Sequence, residues 1–297
     1  MNLNGFSFLV GYVALFFGTL CCVIWWDRRK KRTRHPLGND IKLLRMPGEY
    51  LWRRVLRSDE ADLPVFFAMA LIPSSTLVLA LQFTLRFFPS FLSEDLVASV
   101  MVFAFSLLLC ARWWQRRWQR RANDYLGFFG ERYVAEILDP LKAQGWFIFH
   151  DIQCVGANGN FNLDHVAIGP GGIWVVETKT RRKWSARPDD KDHKVVFDGI
   201  KIIGAWGNET KAIFQALRNA RWLEEWLKKM TGKPFQVWAV VTFPGYYVTE
   251  SKLGQVRVVN PNGLSGVLIS RGKDVLRAED IDLIQRQIDA KGRDVEF

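Results

Sequence analysis

Cysteine is scarce and scattered in this chain of 297 residues. The four cysteines, Cys21, Cys22, Cys110 and Cys154, include no Cys-x-x-Cys pair, and three of them lie in apolar runs. Neither a disulfide framework nor a zinc cluster can be built from such a set. The globular part therefore suits a reducing compartment. Ionisable residues are missing from the middle of the apolar segments in the N-terminal third, which excludes a proton or ion path there, and no transport signature is present. Acidic residues are also few in that third. Residues 1–121 carry 17 Lys and Arg against 8 Asp and Glu, whereas 122–297 carry 24 against 22. The formal charge of +11 is mostly an N-terminal property. It argues for membrane topology before it argues for nucleic acid.

What is present in that third is apolar length. Gly5–Trp26 has no charge and is long enough to span a bilayer; Trp25 and Trp26 end it, where interfacial aromatics belong. Arg28, Arg29, Lys30, Lys31, Arg32 and Arg34 follow at once, the reverse of a cleaved signal peptide. Pro64–Phe88 and Leu96–Trp114 are two further apolar segments. The stretch between them, Pro89–Asp95, lacks Lys and Arg, while residues 27–57 and the run Arg112 to Arg121 are rich in them. Under the positive-inside rule this predicts a multi-pass protein of the bacterial inner membrane, with its N-terminus outside and its C-terminal domain in the cytoplasm. The membrane and partner proteins within it are expected partners. The basic loop could also meet anionic lipid headgroups.

The soluble part is organised around Asn162–Thr180. Two apolar-rich runs flank Gly169-Pro170-Gly171-Gly172, which reads as a β-hairpin. Side chains alternate along a strand, so Glu177 and Lys179 share a face, and pairing across the hairpin can bring Asp164 to the same place. Two carboxylates and an ammonium converging at a strand end form a site for a hard cation and the water it activates. A structural Glu–Lys pair, neutralising itself without chemistry, is the competing account. Leu126, Phe129, Tyr133, Val134, Ile137 and Leu138 have helical spacing. Ile213, Phe214, Leu217, Ala220, Leu223, Trp226 and Leu227 mark an amphipathic helix over Asn208–Met230. Gly145–Ile152 and Phe235–Phe243 read as strands, and Ala278–Ala290 as a short helix. Trp184, with Lys179, Arg181, Arg182, Lys183 and Arg187, makes a local basic patch able to track phosphates and stack on a base; Asp189, Asp190 and Asp192 bound it.

Four motifs stand in order: Gly127-Phe128-Phe129-Gly130-Glu131, Leu163-Asp164-His165-Val166, Glu177-Thr178-Lys179, and Gln215 on the following helix. Together they resemble the nuclease-related domain (NERD) family of the PD-(D/E)XK nuclease superfamily, over roughly Leu126–Phe243. Leu163 stands where the superfamily's name has Pro, and the family's Asn-Pro before the Gln-bearing helix is absent, Lys211-Ala212 lying there instead. The resemblance implies catalytic roles for Asp164, Glu177, Lys179, Glu131 and Gln215. It also implies Mg²⁺ or Mn²⁺ on Asp164 and Glu177, with Glu131 and the Thr178 carbonyl as further ligands. Nucleic acid, DNA before RNA, is the implied substrate.

The expected fold class is α/β: a three-helix transmembrane anchor followed by a restriction-endonuclease-like mixed sheet flanked by helices. The domains run 1–121 (spans at 5–26, 64–88 and 96–114, basic cytoplasmic loop 27–57), 122–250 (nuclease-related) and 251–297 (an extension with a short helix). The expected function is membrane-anchored, metal-dependent hydrolysis of nucleic-acid phosphodiesters on the cytoplasmic side. The alternative is a catalytically inactive, membrane-tethered nucleic-acid-binding or scaffold component of an envelope DNA-transfer or defence complex.

Overall fold

A computed structural model describes residues 42–87, 92–156, 159–183, 193–250, 252, 254–270 and 275–295, and a few helical positions between Gly11 and Trp26. The chain divides into two units, Met1–Leu43 with Val295–Phe297, and Leu44–Asp294. In the first unit the described residues are those scattered helical positions with Lys42, Leu43 and Val295. The second holds the main sheet and its helices.

That unit begins with two long helices, α1 (Glu49–Phe87) and α2 (Leu92–Leu138). They run antiparallel. Arg54 pairs with Asp124 at 3.2 Å, Arg117 donates to the Ser58 carbonyl at 2.9 Å, and Thr76 and Ser106 share a hydrogen bond of 3.2 Å. Strands β1 (Phe147–Gly156), β2 (Gly159–Gly169) and β3 (Gly172–Thr178) follow. Next come the short strands β4 (Lys194–Phe197), β5 (Ile202–Gly204) and β6 (Gly207–Glu209), then helix α3 (Lys211–Thr231). Strands β7 (Val237–Thr242), β8 (Tyr247–Glu250) and β9 (Arg257–Val259), and helices α4 (Leu264–Ile269) and α5 (Ala278–Gly292), follow.

The main sheet is five-stranded and mixed, in the order β9-β7-β3-β2-β1. Strands β1, β2 and β3 pair antiparallel, and β3, β7 and β9 parallel. A parallel central strand is covered on both faces and so reads as an unbroken apolar run; β3 is buried at every position. One face packs Ile173, Val175 and Val241 against Ala216, Leu223 and Leu227 of α3 and Ile284 of α5. The other packs Trp174, Val176 and Val240 against Val134 and Leu138 of α2 and Leu264 of α4. Each fully buried large side chain contributes roughly 1.5–3 kcal/mol. A second, four-stranded sheet, β6-β5-β4-β8, lies beside the first.

The expected transmembrane anchor is contradicted. Among the described residues no helix is long and apolar enough to cross a membrane. Span 5–26 is described only at scattered helical positions, and loop 27–57 only over residues 42–57. Spans 64–88 and 96–114 are not separate elements but parts of α1 and α2. In α1, Arg53, Arg54, Arg57, Asp59 and Glu60 precede the apolar part, and Ser74, Ser75 and Thr76 interrupt it. In α2 the apolar part runs straight into Arg112, Arg116, Arg117, Arg120 and Arg121 and on toward the sheet. Continuous apolar length decides a span, and the charge pattern that set the topology has another use here, tying α1 to α2. The multi-pass inner-membrane localisation, with its outside N-terminus and cytoplasmic domain, falls with it.

Two features of the sheet position the site. Gly169 and Gly172 close the β2–β3 hairpin, Gly172 at φ 111°, in the region glycine occupies without strain. The β1–β2 ladder pairs His150 with His165 and Ile152 with Leu163. It is interrupted at the step between, where Asp151, at φ 49°, stands opposite Asp164. Both strands change face there. Phe149 and Ile152, three residues apart, share one core, as do Leu163 and Val166.

Candidate active site

The hairpin register, with His165 opposite Val176, brings Asp164 alongside Glu177 at the end of β3. The Thr178 backbone N–H donates to Asp164 Oδ2 at 2.7 Å. Lys179 leaves the strand but stays against the sheet, its N–H donating to the Thr242 carbonyl at 2.9 Å. Its Nζ donates to Glu177 Oε1 at 2.6 Å and to Gln215 Oε1 at 3.0 Å. Gln215 comes from the second turn of α3. One turn further on, Asn219, fully buried, donates Nδ2 to Glu177 Oε2 at 3.0 Å.

Glu131 reaches the same cleft from α2, and the glycines before it explain how. A Cβ on Gly127 would stand 2.7 Å from Leu51 Cδ1, and one on Gly130 would collide with the Thr180 methyl. Only bare backbone lets α2 lie so close to both α1 and the residue after Lys179. The cleft, of about 480 Å³, is lined by Glu131, Asp164, Glu177, Lys179 and Gln215, with Arg181, Arg182 and Trp206 on its wall. Arg181 makes two hydrogen bonds to Glu209, at 2.7 and 2.8 Å, and lies over the Trp206 ring.

The electrostatics are those of crowded carboxyl groups. Burial, followed by the charge of Glu177, holds Asp164 well above the usual carboxylate range, although Lys179 and the Thr178 N–H oppose this. Burial, followed by Asp164, Asp151 and Glu177, does the same to Glu131. Burial works against the Lys179 charge, but Glu177 and Asp164 outweigh it and raise its pKa, so the ammonium persists. An assembly short of positive charge, built from hard oxygen donors, matches a hard divalent cation. The Thr178 hydroxyl in its lining is buried and has no hydrogen-bond partner among the described residues. Also among the described residues, no three His, Cys, Asp or Glu side chains are arranged to hold a metal ion. A cation that needs only one or two carboxylates and completes its shell with water and phosphate fits this set.

Residues 126–244 match the model of NERD, the nuclease-related domain. The match begins in α2 ahead of Glu131 and ends just after β7, so it contains the whole cleft constellation. No curated protein and no solved structure matches the chain.

The structure brings together all five residues singled out from the sequence: Asp164, Glu177, Lys179, Glu131 and Gln215. Trp184, Arg187, Asp189, Asp190 and Asp192 lie outside the described residues. His165 turns away from the cleft, and its Nδ1 lies 2.8 Å from Nδ1 of His150. Asn219 is the residue that sequence reading missed. Its signal was present: an Asn within the apolar stripe of a helix, one turn beyond Gln215, between Ala216 and Leu223.

Proposed function

We propose that the nuclease-related domain hydrolyses phosphodiester bonds in nucleic acid with a divalent cation, Mg²⁺ or Mn²⁺, held by Asp164 and Glu177. The supporting observation is Lys179, gripped by Glu177 and Gln215 at the mouth of a cleft that also holds Asp164 and Glu131. A cation bound there would lower the pKa of a water and polarise the phosphate. The rest belongs to the chain. An ammonium has three donors, and Lys179 spends two on Glu177 and Gln215. The third is left for the attacking water or for a phosphate oxygen as charge develops on it. Gln215 and Asn219 are positioning residues: one aims the ammonium, the other fixes the far oxygen of Glu177. Glu131, whose pKa is raised by burial and by the neighbouring carboxylates, adds a third carboxyl group to the surroundings of the cation. Arg181 and Arg182 on the wall offer contacts to flanking phosphates, and DNA is the first substrate to offer.

The test is cleavage of plasmid, linear duplex, single strand and RNA by the full chain with Mg²⁺ or Mn²⁺, beside Lys179→Ala. Cleavage by the native chain, lost in the variant, is expected. Equal activity in both would remove this mechanism.

One observation favours a second reading, a binding module that hydrolyses nothing. Both oxygens of Glu177 are already partnered within the protein, by Lys179 and Asn219. That reading predicts retention of DNA on a gel with no cleavage under any cation.

A further inference from the structure

The buried stripe of α3 is Ala212, Ile213, Ala216, Asn219, Ala220, Leu223 and Leu227. Its opposite face would ordinarily be polar and solvated. Here it borders a groove of about 980 Å³ that also touches Gln215 and so continues from the cleft. Three aromatic rings line it: Phe161 of β2, and Phe214 and Trp222 of α3. Phe214 is 68 % exposed. Trp222 is fixed by its indole N–H, which donates to the Val155 carbonyl at 3.1 Å, and by edge contact with Phe161 at 5.5 Å. Lys211, Arg218 and Arg221 stand between the rings, and none has a carboxylate partner among the described residues. Glu225 is the single acid among the lining residues. Rings interleaved with uncompensated cations match a chain of stacked bases on a phosphate backbone. A duplex keeps its bases stacked inside and offers such rings nothing to hold.

We infer that the groove along α3 binds an unpaired nucleic-acid strand and feeds it past Gln215 to the cleft, so that the domain acts on single-stranded nucleic acid. This rests on the nucleic-acid reading above but is tested without cleavage. The probe is fluorescein-labelled oligothymidylate, titrated by anisotropy with the full chain in EDTA, beside a duplex of equal length. Native chain is expected to prefer the single strand. Phe214→Ala should weaken that binding about tenfold, with thermal unfolding unchanged because the ring is exposed, and Phe214→Trp should restore it. Arg221→Ala should weaken it and flatten its salt dependence.

Tighter binding of duplex, no binding of the single strand, or equal binding by native and Phe214→Ala would each overturn the inference. Cleavage of plasmid that depends on Lys179, with binding indifferent to Phe214, removes the groove and leaves the hydrolase. Binding that depends on Phe214, with no cleavage under any cation, removes the hydrolase and leaves the groove.

Discussion

The side-chain amide of Asn219 lies 3.0 Å from Glu177 Oε2, on the side of the carboxylate away from Lys179. Both groups are buried, so the bond cannot be replaced by water at will. Asn219→Ala leaves a buried carboxylate oxygen without its donor and should cost about 1–3 kcal/mol. Under the proposed mechanism cleavage falls as well. Asn219→Asp, which sets a second carboxylate against Glu177, should be worse on both counts. Unfolding by denaturant and a cleavage assay check this; an Asn219→Ala chain as stable as native would sink the positioning role.

Asp164 is held above the ordinary carboxylate range, so the folded chain binds its proton more tightly than the unfolded chain does. The stability it contributes is complete below the unfolded pKa and is lost as pH rises through the folded one. At about pH 8, well above the unfolded pKa, folding must either protonate the group or bury its charge, and both oppose folding. Asp164→Asn keeps an oxygen for the Thr178 N–H and should raise the stability of the cation-free chain by about 1–2 kcal/mol, with the gap closing toward about pH 4. Mg²⁺ should raise the Tm of the native chain and not of the variant. Thermal scans at both pH values, with EDTA and with Mg²⁺, decide it. A variant less stable at both pH values would show that Asp164 is structural.

His150 and His165 share a hydrogen bond between their Nδ1 atoms, so one of those nitrogens must stay unprotonated to accept it, and charging both rings would break it. Burial, helped by nearby Lys142, lowers the His150 pKa from 6.5 to about 4; burial, helped by His150, takes His165 well below its ordinary value. A depressed pKa gives stability that is present above the unfolded value and is lost as pH falls through the folded one. Native Tm should therefore carry an acid-sensitive component between pH 6.5 and about 4. The double variant His150→Leu/His165→Leu should lack it. The same slope of Tm against pH in both chains would refute the assignment.

Gly130→Ala adds a methyl where the Thr180 methyl already stands. Alanine favours a helix by about 1 kcal/mol over glycine, yet the overlap should make the variant about 1–3 kcal/mol less stable. It should also draw Glu131 away from the cleft and lower cleavage. Gly266→Ala, where a Cβ meets nothing, is the control and should gain stability.

Much of the site was legible because its signals are local. The hairpin follows from Gly169-Pro170-Gly171-Gly172, and the shared face of Glu177 and Lys179 follows from strand alternation. Helix α3 follows from its apolar spacing, although it begins at Lys211 rather than Asn208. What was not legible depends on tertiary pairing. The change of face at Asp151 and Asp164 breaks the period-two pattern that a strand reading assumes. The outer face of α3 reads as ordinary polar helix until β2 sets Phe161 beside Trp222. The spans were over-read because apolar composition was taken as continuous apolar length, whereas α1 and α2 mix it with the ionic contacts that bind them to each other.

Asp151 carries one more consequence. Its buried carboxylate accepts from Arg45 Nη1 at 2.9 Å, from the Tyr50 N–H at 2.8 Å and from Asn162 Nδ2 at 2.6 Å. Two of those three donors come from the segment that opens α1, well ahead of residue 126, where the family match starts. A fragment trimmed to the matched region would keep the acid and discard its cation, and a buried charge stripped of its partner costs about 3–5 kcal/mol. The boundary of homology is therefore not the boundary of folding: the shortest autonomous piece of this molecule has to begin upstream of Arg45.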